Sequence, residues 1–183
     1  MAATAIPNSM TADDHRADVV NEHMRLENAH NFPACIAEFG RPQYEVMADG
    51  EVFAGSARVN DFLSENLRAF PDFIFEPTRV SPTSEAVLVE GVFKGTHEGP
   101  WRGLPATGRR VSFPMCLIFE FDGPVLVNER IYFDIGTPLR QLGVADDPNS
   151  TKGKVVILLA HPVTILRAVL RTVWLRIRSR SAD

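Results

Sequence analysis

The stretch VSFPMCLIFEFDGPVLVNERIYFDIG, Val111 to Gly136, decides the fold. Two runs rich in β-branched and aromatic residues flank Asp122-Gly123, the signature of a hairpin between long strands. The spacing predicts strands over Val111–Phe121 and Val125–Ile135. Successive side chains of a strand point to opposite faces, so parity sorts them. In the first strand the odd set is Val111, Phe113, Met115, Leu117, Phe119 and Phe121. In the second it is Val125, Val127, Glu129, Ile131, Phe133 and Ile135, while Tyr132 and Asp134 share the even face. A three-residue loop would pair even with even, giving one very apolar face and one mixed face. A strict two-residue loop would set Tyr132 beside Phe113. The first segregates better. It predicts an apolar face turned toward a partner sheet and a mixed face, with Asp134, turned toward a cavity.

Upstream, Phe73–Val80 and Glu85–Thr96 read as two further strands. Pro77 assigns the former to an edge or a bend. Glu90 reads as solvent-facing, and Gly91 beside it as a bulge or kink. Before these strands the periodicity is helical. Thr11 is a plausible N-cap with Asp13 and Asp14 in the first turn. Asn31 and Pro33 start a short second helix. YEVMADGEVF forms a small hairpin around Asp49-Gly50, and Ser56 can cap a third helix carrying Val59, Phe62, Leu63, Leu67 and Phe70. A final short helix spans Thr137–Leu142. Helices first and antiparallel strands after make an α+β order, with the helices on one face of a curved sheet.

Composition narrows the class. The 183 residues, 45% hydrophobic and 23% charged, suit one globular domain plus an appendage. Cys35 and Cys116 lack metal-type spacing and read as buried thiols of a reducing compartment. The N-terminus lacks the pattern of a secretory signal, so the expected address is the cytoplasm. Residues 1–11 are expected to be disordered. Residues 1–150 hold 12 Lys+Arg against 22 Asp+Glu, and residues 151–183 hold 7 against 1. Nucleic acid is an improbable ligand for so acidic a body. Residues 144–154 read as a polar linker. In the tail, 155–183, Val163, Leu166, Val169, Leu170, Val173 and Ile177 line one helical face and Arg167, Arg171 and Arg178 another. Such a helix could pack on the body or a dimer partner, or give the protein a peripheral membrane contact through residues 155–180.

Asp134 is the candidate acid/base. In an apolar cavity its carboxyl would be desolvated and its pKa raised, which suits proton transfer near neutral pH. Tyr132 on the same face and His97 at the end of the neighbouring strand could polarise a carbonyl. The competing reading has Asp134 capping the helix after Gly136 or pairing with Arg130. Trp101 and Leu104 could lid a cavity mouth; Phe113, Met115 and Arg109 are the further expected substrate contacts. His97 has no second histidine near it in the sequence, so no metal is expected, and His23 and His30 read as structural. The glycines of residues 98–110 lack a phosphate-binding pattern.

The pieces GTHEG (Gly95–Gly99), GLPATGRR (Gly103–Arg110), FDG (Phe121–Gly123) and YFD with LRQLG (Tyr132–Gly143) resemble the polyketide-cyclase, SnoaL-like branch of the nuclear transport factor 2-like superfamily. The resemblance covers about residues 12–143. It implies a cone-shaped α+β barrel with an apolar cavity between sheet and helices, and a homodimer through the outer face of the sheet. It further implies ring closure by intramolecular aldol condensation, with an aspartate as acid/base and no cofactor. The chain is accordingly expected to be a cofactor-free enzyme acting on a hydrophobic carbonyl compound by cyclisation or isomerisation. Epoxide hydrolysis and non-catalytic binding are the alternatives.

Overall fold

The structure is a computed structural model that describes residues 11–180. It divides into two compact units, Met1–Leu142 and Gly143–Asp183. Of the N-terminal segment expected to be disordered, residues 1–10 lie outside the described residues.

In the first unit, α1 (Ala12–Asn28) opens on a capping box. The Thr11 hydroxyl accepts from the Asp14 amide, and the Asp14 carboxylate accepts from the Thr11 amide. Then come α2 (Phe32–Ala37), the hairpin β1 (Gln43–Val46) and β2 (Glu51–Ala54), and α3 (Ser56–Ala69). Ser56 is the first helical residue rather than the cap; the cap is Gly55, at φ 88°, where a side chain would be strained. The strands β3 (Ile74–Pro82), β4 (Ala86–Thr96), β5 (Arg110–Asp122) and β6 (Val125–Tyr132) follow, then α4 (Gly136–Gln141). One curved, unclosed sheet runs β2-β1-β6-β5-β4-β3. All pairs are antiparallel except β1 with β6. Pro77 lies on the edge strand at a register shift, as its missing N–H requires.

Even does pair with even across β5 and β6, with Cys116 opposite Tyr132 and Glu120 opposite Asn128. A bulge achieves this: after Glu120–Asn128 the next pair is Phe121–Leu126, which leaves Val127 over. The facing, however, is the reverse of the expectation. The odd face of Val111, Phe113, Leu117, Phe119 and Ile131 is buried in the core with Val20, Met24, Val59 and Leu63 of the helices. The mixed face is the outer one. There Arg130 spans Glu45 (3.0 Å) and Glu120 (2.9 Å). Burying the more apolar face removes more surface from water, and the helices offer that burial within the chain. Strand β6 also ends at Tyr132, so Asp134 is not in a strand at all.

Glycine at position 91 allows the edge to close. A Cβ there would come within 2.3 Å of the Phe75 ring and 2.6 Å of the Glu76 carbonyl oxygen. Gly91→Ala should therefore destabilise the protein by about 1–3 kcal/mol through overpacking. Thermal unfolding reads this as a lowered midpoint; an unchanged midpoint would show that the edge gives way freely.

The second unit holds α5 (Thr151–Ala160) and α6 (Pro162–Arg180). α5 starts inside the segment read as linker, because Ser150 caps it by accepting from the Gly153 amide at 2.9 Å.

Candidate functional site

The inner face of the sheet and the helices enclose a narrow cavity of about 80 Å³. Its walls are aromatic. Phe93 stands between Phe73 and Phe113 at ring distances of 5.7 and 5.1 Å, and Phe113 meets Phe133 at 5.4 Å. Trp101 and Arg102 close one side. They sit at a two-residue turn in which Arg102 and Gly103 both have positive φ, with Trp101 and Leu104 exchanging backbone hydrogen bonds. Arg102 pairs with Asp49 of the β1–β2 turn.

Two acids reach this apolar space, Glu27 and Glu129. Glu129, 1% exposed, has the odd parity of Ile131 and so points inward. Pairing places it between two inward neighbours, Tyr44 on β1 and Phe119 on β5. Helical spacing in α1 puts Val20, His23, Met24 and Glu27 on one stripe above them. His23 is fully buried. Three oxygens approach its Nε2: Tyr44 Oη at 3.0 Å, Glu129 Oε2 at 3.3 Å and Glu27 Oε2 at 3.6 Å. Cys35 Sγ from α2 lies 3.4 Å from its Nδ1. The rings of Phe39 and Phe119 meet the imidazole edge-on.

This burial sets the electrostatics. Desolvation pushes the Glu129 carboxyl above the ordinary carboxylate range, and Glu27 opposite adds to the rise, against the pull of His23. Burial works against the His23 imidazolium, yet Cys35 and the two carboxylates outweigh it and hold the imidazole well above its usual pKa. Burial likewise raises the Cys35 thiol and the Tyr44 hydroxyl. His23 and Glu129 therefore titrate as a pair, and the proton belongs to both. One oxygen of Glu129 has no hydrogen bond of normal geometry among the described residues.

The residues singled out from the sequence fall in four places. Trp101, Phe113 and Met115 do line the cavity. Arg109 is exposed and does not. His97 is buried behind the wall, its ring 5.3 Å from Phe70 and 6.4 Å from Trp101. Its Nδ1 accepts from the Thr107 amide, which leaves the proton on Nε2, and burial holds its pKa down. Tyr132, 38% exposed, and Asp134 lie on the outer face, around a shallow depression with Gly91 and Cys116. The Asp134 side chain is 64% exposed. It accepts from the Gly136 amide at 3.0 Å, the Thr137 hydroxyl at 2.7 Å and Arg140 at 3.0 Å. These bonds, Thr137 first, lower its pKa, the opposite of what a general base in this role needs. Asp134 is the anchor of α4, not part of the cavity.

Glu129, His23, Tyr44 and Glu27 were missed. Parity carried a signal for one of them: Glu129 is the acid that shares a face with Ile131 and Phe133. His23 and Tyr44 join it only through the α1 and β1 placements, which are long-range. His23, Glu27 and Cys35 could also share a small cation. Their ligand atoms lie within 4.8 Å of one another, and one nitrogen, one sulfur and one oxygen donor suit a zinc-type ion.

A family model for the SnoaL-like polyketide cyclase matches residues 17–142. No curated protein matches the sequence. Among solved structures, a candidate SnoaL-like polyketide cyclase from Jannaschia sp. CCS1 aligns with a TM-score of 0.67 at 15% identity, covering 79% of this chain and 100% of that one. AclR, a candidate hydroxylase from Streptomyces galilaeus, aligns at 0.63 and 20% identity, over 73% and 99%. A protein of ketosteroid isomerase-like fold from Catenulispora acidiphila, in complex with trimethylamine, aligns at 0.59 and 17%, over 69% and 93%. At these identities the likeness is one of fold.

Asp134→Asn should lower stability at neutral pH. A depressed carboxyl contributes stability above its ordinary value of 3.8 and loses it as pH falls through the folded-state pKa. The gap between the wild-type and variant unfolding midpoints should thus close on acidification below about pH 4. A gap that is the same at every pH would contradict the anchoring of α4 by the Asp134 carboxylate.

Proposed function

The chain belongs to the SnoaL-like polyketide cyclase family, and from that premise we propose that it is an acid/base enzyme in which Glu129, not Asp134, moves the proton. One observation carries this reading: Glu129 is a buried carboxyl whose pKa burial raises and which lines an apolar cavity. The substrate class is a hydrophobic carbonyl compound. Glu129 as carboxylate takes a proton from the carbon next to the carbonyl. The C–H electron pair forms the enolate, with its charge on oxygen. That enolate either attacks a second carbonyl of the same molecule, closing a ring, or is reprotonated at another carbon. In both cases Glu129 returns the proton. His23 and Tyr44 do not line the cavity and act as positioning residues: they set the orientation and proton affinity of Glu129. The 80 Å³ cavity is smaller than the roughly 300–1,000 Å³ typical of drug-sized ligands, so a ring-forming substrate would have to displace the Trp101–Arg102 turn.

The test is deuterium incorporation next to the carbonyl of apolar ketones and β-dicarbonyls in heavy water, followed by NMR. Wild-type protein should promote exchange, Asp134→Asn should match it, and Glu129→Gln should lose about 100-fold or more. Exchange that survives Glu129→Gln would sink the role of Glu129. Exchange should also persist after dialysis against a chelator. Activity lost there and restored by zinc would put a metal, not a proton, on His23.

Removing the imidazole from its place should unfold the site. His23→Ala leaves the buried Glu129 carboxyl without its ionic partner, a change that destabilises proteins by about 3–5 kcal/mol. Denaturant unfolding measures it, and a loss well below about 1 kcal/mol would mean that the group is solvated in practice.

A further inference from the structure

We propose that α5 and α6 dock the protein on the surface of an anionic membrane, both lying in the interfacial layer. In α5, Val155, Val156, Ile157, Leu158 and Leu159 follow one another, and all are exposed, Leu159 by 73%. With about 3.6 residues per turn, five consecutive apolar residues surround the helix completely. A protein groove covers one side of a helix; an apolar medium covers all of them. α6 is amphipathic instead. Val163, Leu166, Val169, Leu170 and Val173 are exposed, and Trp174 beside them lies under the Arg178 guanidinium at 5.2 Å. Aromatic residues with a polar edge favour the headgroup level.

Charge selects the kind of membrane. Residues 151–180 contain Lys152, Lys154 and five arginines, and no Asp or Glu. That pattern is complementary to an acidic lipid surface and would be idle on a neutral one. Helix length and the bend between the helices together set the mode. Ten residues of α5 rise about 15 Å, half of the roughly 30 Å hydrocarbon core. Among the described residues no single helix is long and apolar enough to cross a membrane; α5 and α6 together have the length and composition of a span, but they are bent by 100°. Two helices joined at one corner share a plane, and here that plane is the lipid interface, with α5 sunk deeper than α6.

Flotation of the full chain decides it. Vesicles of phosphatidylcholine containing about 30 mol% phosphatidylserine should carry at least about tenfold more protein than phosphatidylcholine alone, and about 0.5 M salt should reverse most of that gain. Arg167→Glu with Arg171→Glu should reduce binding to the level of neutral vesicles. Leu158→Asp with Leu159→Asp should abolish it on both, with thermal unfolding of the cavity domain unchanged in each variant. No flotation of wild-type protein on the acidic vesicles would overturn the proposal. So would equal flotation of wild type and both variants. A self-associated species in sedimentation that dissociates with Leu158→Asp/Leu159→Asp, without vesicle binding, would show that a second copy covers the tail.

Discussion

A carboxyl group on the dry face of a sheet must be matched by its surroundings, and much of the first unit is arranged around that one requirement at Glu129. Taking a lone carboxylate out of water is prohibitively unfavourable; with a partner and hydrogen bonds it becomes tolerable. Four elements supply the match. α1 brings His23 and Glu27, α2 brings Cys35, and β5 lays Phe119 alongside. The parallel pairing of β1 with β6 brings Tyr44 directly opposite Glu129. Among the described strands that pairing is the parallel one, and it delivers a hydroxyl to the buried imidazole.

The same arrangement joins structure to chemistry. Aromatic walls exclude water, and exclusion raises the Glu129 carboxyl. Glu27 opposite raises it further, while His23 keeps it from becoming an inert acid. A group held between these pressures is poised to exchange a proton, which is what chemistry next to a carbonyl requires. Local consistency elsewhere in the fold leaves this site as its main exception, a charged cluster where a packed core would be more stable.

Much of the fold was legible because its determinants are local. The Thr11 cap, the Asp49-Gly50 hairpin and the parity of β5 and β6 each depend on neighbours in sequence. The facing of the sheet was not legible. Parity separates two faces but does not say which meets the helices, and expecting a partner sheet on the apolar side reversed them. That single reversal carried Tyr132 and Asp134 to the outside. Asp134 also illustrates a local rule: an acid two residues before Gly136 and three before Thr137 accepts amide and hydroxyl protons at a helix start. Glu129 was visible as an acid of apolar parity, yet its partners lie 106 and 85 positions away, at His23 and Tyr44. No short-range pattern links them. The tail lies beyond the family match, which ends at residue 142.

The most direct measurement is the titration of the Glu129 carboxyl by carbon-13 NMR, assigned by the resonance missing in Glu129→Gln. A carboxyl in the dry cavity should titrate above its ordinary value of 4.5, and its shift should change again when His23 is replaced by Gln. A Glu129 resonance that titrates at or below 4.5, indifferent to His23, would contradict the buried acid/base pair on which the proposed function rests.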